Sequence, residues 1–77
     1  MKNNLLPWPY LRGFIQGVHE GGLTDREIAA AIGAVLGDED LQPNRETIAR
    51  WRRGECVAST LNKKAIQAWR AQIRSEK

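Results

Sequence analysis

The sequence predicts a small all-α domain of four helices, and three observations carry that prediction. Apolar residues recur at helical spacing in each periodic segment, and nowhere do they alternate with polar ones over the length of a strand. Capping residues and glycines punctuate the chain where helices of ordinary length would start and stop. Seventy-seven residues suit one domain, 1–77, with a single modest core and little room for an enzyme cleft. Residues 1–7 and 75–77 are expected to be flexible ends.

Leu11, Phe14, Ile15 and Val18 fall at i, i+3, i+4 and i+7, which makes a first amphipathic helix from Trp8 or Pro9 to Glu20, ended by Gly21-Gly22. Gly13 and Gly17 either weaken it or admit a close neighbour. The second helix opens with "TDRE", a capping box in which Thr24 caps the amide three residues on while Glu27 reaches back, and Asp25 suits the positive helix end. Its core face is Ile28, Ile32 and Val35 or Leu36. Gly33 can end it early, but Gly37, just before "DED", has the better stop context. In the loop "GDEDLQP", Leu41 is expected to tuck against the core while Pro43 holds Gln42 extended. Asn44 caps a third helix, Arg45 to Arg53, and Gly54 stops it. "CVAS" leads to Ser59 or Thr60, the cap of a fourth helix whose apolar stripe is Leu61, Ala65, Ile66, Trp69 and Ile73. The expected shared core is Phe14, Ile15, Ile28, Ile32, Ile48, Trp51, Leu61, Ile66 and Trp69, with Trp8 either packed over it or docking a partner.

The net charge of +3 hides a division. Residues 1–40 hold three Lys or Arg against six acidic residues, whereas residues 41–77 hold nine against three. Basic charge confined to one half suggests a surface that faces a polyanion, against the plainer reading of a solvated face. Cys56 stands alone, so neither a disulfide framework nor a cysteine zinc site is expected, and a reducing cytoplasm fits best. "MKNNLLPWPY" is too short and proline-broken for a secretory signal, and no apolar run reaches the length of a membrane span. His19 has no second histidine or metal-spaced carboxylate and reads as a surface residue near a helix end. Nucleophile, base and orienting group do not occur as a set, and no phosphate loop occurs, so neither an enzyme nor a cofactor is expected.

The stretch "NRETIARWRRGE" is the most informative. At about 100° per residue, Ile48 and Trp51 define its buried side, and Glu46, Ala49, Arg50 and Arg53 point away, with Arg45 at one edge. A small residue flanked by arginines suits the DNA major groove. The alanine allows close approach, guanidinium forks reach guanine O6 and N7 or phosphate oxygens, and Glu46 can accept from a cytosine amino group. On the fourth helix Lys63, Gln67, Arg70 and Arg74 form a stripe opposite the apolar one, either a solvated face or, through Lys63 and Arg70, further phosphate contacts.

Taken in order, "YLRGFIQGVHEGGLTDREIAAAIG", "ETIARWRRGE" and "LNKKAIQAW" resemble the Cro and phage-repressor type of helix-turn-helix domain over residues 10–70. The resemblance implies a helix-turn-helix-like unit and sequence-specific binding of double-stranded DNA by a small transcriptional regulator of phage or mobile-element type. It also implies a homodimer on paired half-sites, although no dimer surface is evident in the sequence. On this reading Arg45, Glu46, Ala49 and Arg50 face base edges, Thr24 and Arg26 touch phosphate, and Arg52 or Arg53 grips phosphate. The chain departs from the pattern twice. The connection between the second and third helices is longer than the usual three or four residues and holds acidic "GDED", which phosphates would repel, so either the turn is lengthened or the unit is remodelled. Arg52 stands where an acidic residue is common.

The rival reading keeps the scaffold but binds a protein, as an adaptor or inhibitor gripping its partner through Trp8, Tyr10, Asp38, Glu39 and Asp40. It explains the insertion better and the arginine face worse. RNA binding is disfavoured by the single tyrosine and the lack of an aromatic stacking platform.

Overall fold

The computed structural model describes residues 5–75, in the order α1 (Trp8–Glu20), α2 (Asp25–Leu36), a 3₁₀ turn (Glu39–Leu41), α3 (Arg45–Arg53) and α4 (Thr60–Ser75). The fold is all-α, with no strand among the described residues.

Local chemistry sets each boundary. Pro7 precedes α1, and its carbonyl accepts from the Tyr10 and Leu11 amides. The chain leaves α1 through Gly22 at φ +120°, where Leu23 N donates to Val18 O and Gly22 N to His19 O, the paired bonds of a Schellman ending. The capping box of α2 forms as expected: Thr24 Oγ1 accepts from the Glu27 amide at 3.1 Å, and Glu27 Oε1 accepts from the Thr24 amide at 2.9 Å. Of the two glycines able to end α2, it is Gly37 that does so, in the left-handed conformation, its amide bonded to Gly33 O. Asn44 Oδ1 caps α3 by accepting from the Thr47 amide at 2.8 Å. Ser59 caps α4 through its carbonyl, which takes the Lys63 amide at 2.8 Å, with a longer bond from the Asn62 amide to its hydroxyl.

The core is Leu11 and Ile15 of α1, Ile28, Ala29 and Ile32 of α2, Ile48 and Trp51 of α3, and Ala65, Ile66 and Trp69 of α4, joined by Ala58 from the α3–α4 link. α2 packs against all three other helices and α1 does the same, whereas the backbones of α3 and α4 do not come close to each other. Two edge-to-face aromatic pairs hold opposite flanks of α1. Trp8 meets Trp51 of α3 at 5.9 Å, and Phe14 meets Trp69 of α4 at 5.1 Å. Each adds about 0.5–1.5 kcal/mol beyond its buried area. Trp8 therefore packs on the core rather than standing free.

Several expectations are corrected by this packing. Leu61 is 48 % exposed, because it sits on the flank of α4 about a quarter turn from the direction of Asn62, Ile66 and Trp69, while Ala58 just before the helix is buried. Ile73 keeps the core direction but lies in the last turn and is 40 % exposed. Leu41 turns outward at 45 % exposure, because Pro43 is buried and Gln42 lies across Gly33, so the connection is pinned without it. A Cβ on Gly33 would stand 2.5 Å from Gln42 Oε1 and 2.9 Å from its Cβ and Cγ. Gly33 thus admits the loop rather than ending the helix. Gly13 and Gly17 face open space and admit no neighbour. Phe14 is half-buried.

Of the ends expected to be flexible, residues 1–4, 76 and 77 lie outside the described residues. Leu5–Pro7 instead follow the surface of α4, with the Leu6 amide donating to Gln67 Oε1 at 2.6 Å and Leu6 packed against the core.

Candidate nucleic-acid interface

α3 is anchored by two buried side chains and capped at both ends, which leaves one long face to solvent. Ile48 and Trp51 fix its rotation about its axis. Arg45, Glu46, Arg50 and Arg53 are exposed and Ala49 is half-buried between them, so the five residues expected to share an outward face do so. The exposure of its four charged residues shows that this face is left to solvent.

The charges on it differ in how far they are spoken for. Arg50 Nε lies 3.6 Å from Glu46 Oε2 one turn back, both side chains more than half exposed, so water screens the pair. Arg53 makes a two-pronged contact with Glu55 at 2.8 and 3.3 Å. That hydrogen bond holds the Glu55 carboxyl below its usual range and pushes the Arg53 guanidinium further up. Arg45 has no carboxylate partner among the described residues. On α2, Arg26 is exposed, and Thr24 stands beside it with its hydroxyl accepting in the capping box.

Arg52 is placed differently from the phosphate contact expected of it. Its Nε and Nη2 each donate at 2.8 Å to the two oxygens of Asp25, the first residue of α2. Both side chains are only about one-fifth exposed, 22 and 21 %. The hydrogen bond from Arg52 outweighs partial burial and holds the Asp25 carboxyl below its usual range. Reaching a phosphate would require giving up this fork-to-fork bond. The Arg52 carbonyl is held as well. Arg12 Nη2 donates to it at 2.8 Å and Gln16 Nε2 at 3.1 Å, while Arg12 Nε reaches Trp51 O at 3.0 Å. A cation thus meets the negative end of α3, whose own Schellman ending runs through Gly54 at φ +80°.

Lys63 is half-buried on the first turn of α4. Arg70 is not brought to the α3 face: it lines a cavity with Leu6, Tyr10 and Phe14, and that flank of α1 is opposite the one that carries Trp8, Arg12 and Gln16 to α3. Nor is the α4 stripe an open row, since the Leu6 backbone lies over Gln67.

The residues of the rival reading are scattered. Tyr10 is 67 % exposed on the α4 flank of α1, whereas Asp38, Glu39 and Asp40 belong to a turn that contacts α2 and no other helix. Asp38 Oδ1 is occupied by the Asp40 amide at 2.9 Å.

Sequence reasoning missed Arg12 and Gln16. Their spacing of four from Trp8, on the flank of α1 beside its apolar stripe, was the available sign that this flank also has a partner. His19 Nδ1 is 3.0 Å from Leu23 O and 3.7 Å from Asp25 Oδ1, at the helix end where a surface residue was expected. No cluster of three or more metal-binding side chains is present among the described residues, and no helix there is long and apolar enough to cross a membrane. Compared with family models, with curated proteins and with solved structures, the chain matches none.

Proposed function

We propose that the chain binds double-stranded DNA sequence-specifically by laying α3 in the major groove, as a small regulator would. The observation that carries this reading is the uncovered face of α3. It sets Arg45, Glu46, Ala49 and Arg50 outward on a helix that is capped at both ends and anchored by Ile48 and Trp51. Arginine forks match guanine edges, Glu46 can accept from cytosine, and half-buried Ala49 leaves room for approach. Arg53 on that face and Arg26 on α2 supply phosphate contacts, with Thr24 and Lys63 as further ones. Arg52 and Arg70 leave the contact set, the first because it is bonded to Asp25 and the second because it lies across α1. The acidic turn contacts only α2, so its charge need not enter the groove with α3.

α3 has nine residues, about 14 Å of helix, and reads few base pairs, which suits two copies on paired half-sites. Selection from randomised duplexes, followed by binding of Arg50→Ala and Arg53→Ala to the selected site, tests the assignment. Arg50→Ala should relax preference at one or two base pairs at a cost of about 1–3 kcal/mol. Arg53→Ala should weaken all duplexes alike. A folded chain that enriches no sequence overturns the proposal.

A further inference from the structure

Resting on that reading, we propose that Arg52 is a positioning residue for the reading helix, acting as the node at which α1 and α2 together fix the orientation of α3. Residue 52 is held by both of its ends. Its guanidinium is forked onto Asp25 of α2, and its carbonyl takes donors from Arg12 and Gln16 of α1. Ile48 and Trp51, one turn apart, set the rotation of α3 about its own axis. The node lies at the C-terminal end, beyond these anchors, and ties the tilt of the helix to α1 and α2 there. Base-reading residues occupy the other end and the middle, so a small tilt at residue 52 displaces Arg45 and Glu46 along the groove. Gly54 turns the chain out of α3 at φ +80°, a conformation that a side chain would strain, with the Arg12 guanidinium lying against the helix end.

A phosphate-binding Arg52 and a positioning Arg52 give opposite outcomes in one variant. Asp25→Asn removes a negative charge and frees the guanidinium, which strengthens binding if Arg52 grips phosphate. If Arg52 positions α3, the same change loosens the helix and weakens specific binding. The measurement is affinity of Asp25→Asn, Arg52→Met and Arg52→Lys for a selected site and for a non-specific duplex, across a salt series. Asp25→Asn and Arg52→Met should each lower affinity for the selected site roughly ten- to hundred-fold, the scale of one mismatched base pair. Non-specific affinity and salt slope should stay as in the parent, and Arg52→Lys, able to reach one carboxylate oxygen, should recover part of the loss. Tighter binding by Asp25→Asn, or a salt slope reduced by about one in Arg52→Met with all sequences weakened alike, overturns the proposal. Should Arg52→Met fail to fold, Asp25→Asn and Arg52→Lys decide. If the parent binds no duplex at low salt, the functional reading fails by itself, and the node is judged on the free protein from residual dipolar couplings. A change in the angle between α2 and α3 in Asp25→Asn supports the node; an unchanged angle overturns it.

Discussion

Trp51 shows how much of this molecule rests on single side chains. It is 2 % exposed, fills the space between α3 and the other helices, and takes the edge-to-face contact of Trp8. Trp51→Ala should cost about 3–5 kcal/mol, read as a lowered denaturant midpoint, and a variant as stable as the parent would contradict its place in the core. Asp25 links stability to pH. Arg52 depresses its folded-state pKa, so the ionised form stabilises the fold above the ordinary aspartate value of 3.8, and the contribution is lost as pH falls through the depressed value. Acid unfolding of Asp25→Asn should therefore be shallower than that of the parent below pH 3.8, and parallel acid limbs would count against the ion pair. Glu46 bears on function at the same scale. Glu46→Gln releases Arg50 and removes a negative charge from the face proposed to meet DNA, so non-specific DNA affinity at low salt should rise about two- to five-fold, the worth of an exposed ion pair. Unchanged affinity would mean that Glu46 does not face the duplex. The identities on the outward face of α3 were legible because a helical period fixes direction. The pairing of Arg52 with Asp25 was not, since it depends on the angle at which two helices separated by an eight-residue connection cross.

At the scale of elements, the ends of the helices were readable from chemistry confined to a few residues. "TDRE", Asn44 and Gly54 act within one turn, and the caps they imply are the caps observed. What escaped was decided by partners distant in sequence. Leu41 and Leu61 satisfy an apolar pattern yet are about half exposed, Leu61 because it lies a quarter turn from the core direction of α4, while Pro43 is the buried residue of the connection that holds Leu41. The fold-back of Leu5–Pro7 onto α4 has no local signal in a proline-rich segment. The connection from α2 to α3 is the element most open to test. Gly33→Ala gains helix propensity but drives a Cβ into Gln42, and the net effect should be a loss of about 1–3 kcal/mol, the usual cost of overpacking. Adding Gln42→Gly should recover most of it. A Gly33→Ala chain that is more stable than the parent would show that the connection does not lie against α2.

Across the whole molecule, charge and packing divide the labour. α1, α2 and α4 build the core, and α3 completes it with Ile48 and Trp51 while leaving the Arg45, Glu46, Arg50 and Arg53 side chains exposed. The acidic turn packs on α2 alone, whereas charges from both halves of the chain meet at α3, where Asp25 pairs with Arg52 and Arg12 holds the helix end. The fold class was legible as a whole because periodicity and capping agree in every segment. The proposed function is written in the sequence only as a helix face whose chemistry suits DNA, since local pattern names neither a base sequence nor a partner. The most direct measurement is a salt titration of the intact chain against a labelled pool of random duplexes. Binding at low salt should weaken linearly in logarithmic plots, with a slope of about −0.9 for each phosphate neutralised by residues such as Arg26, Arg45 and Arg53, and with the slope reduced in Arg53→Ala. A folded chain that binds no duplex at low salt, or whose binding is indifferent to the loss of both Arg50 and Arg53, would contradict the assignment of α3 to DNA.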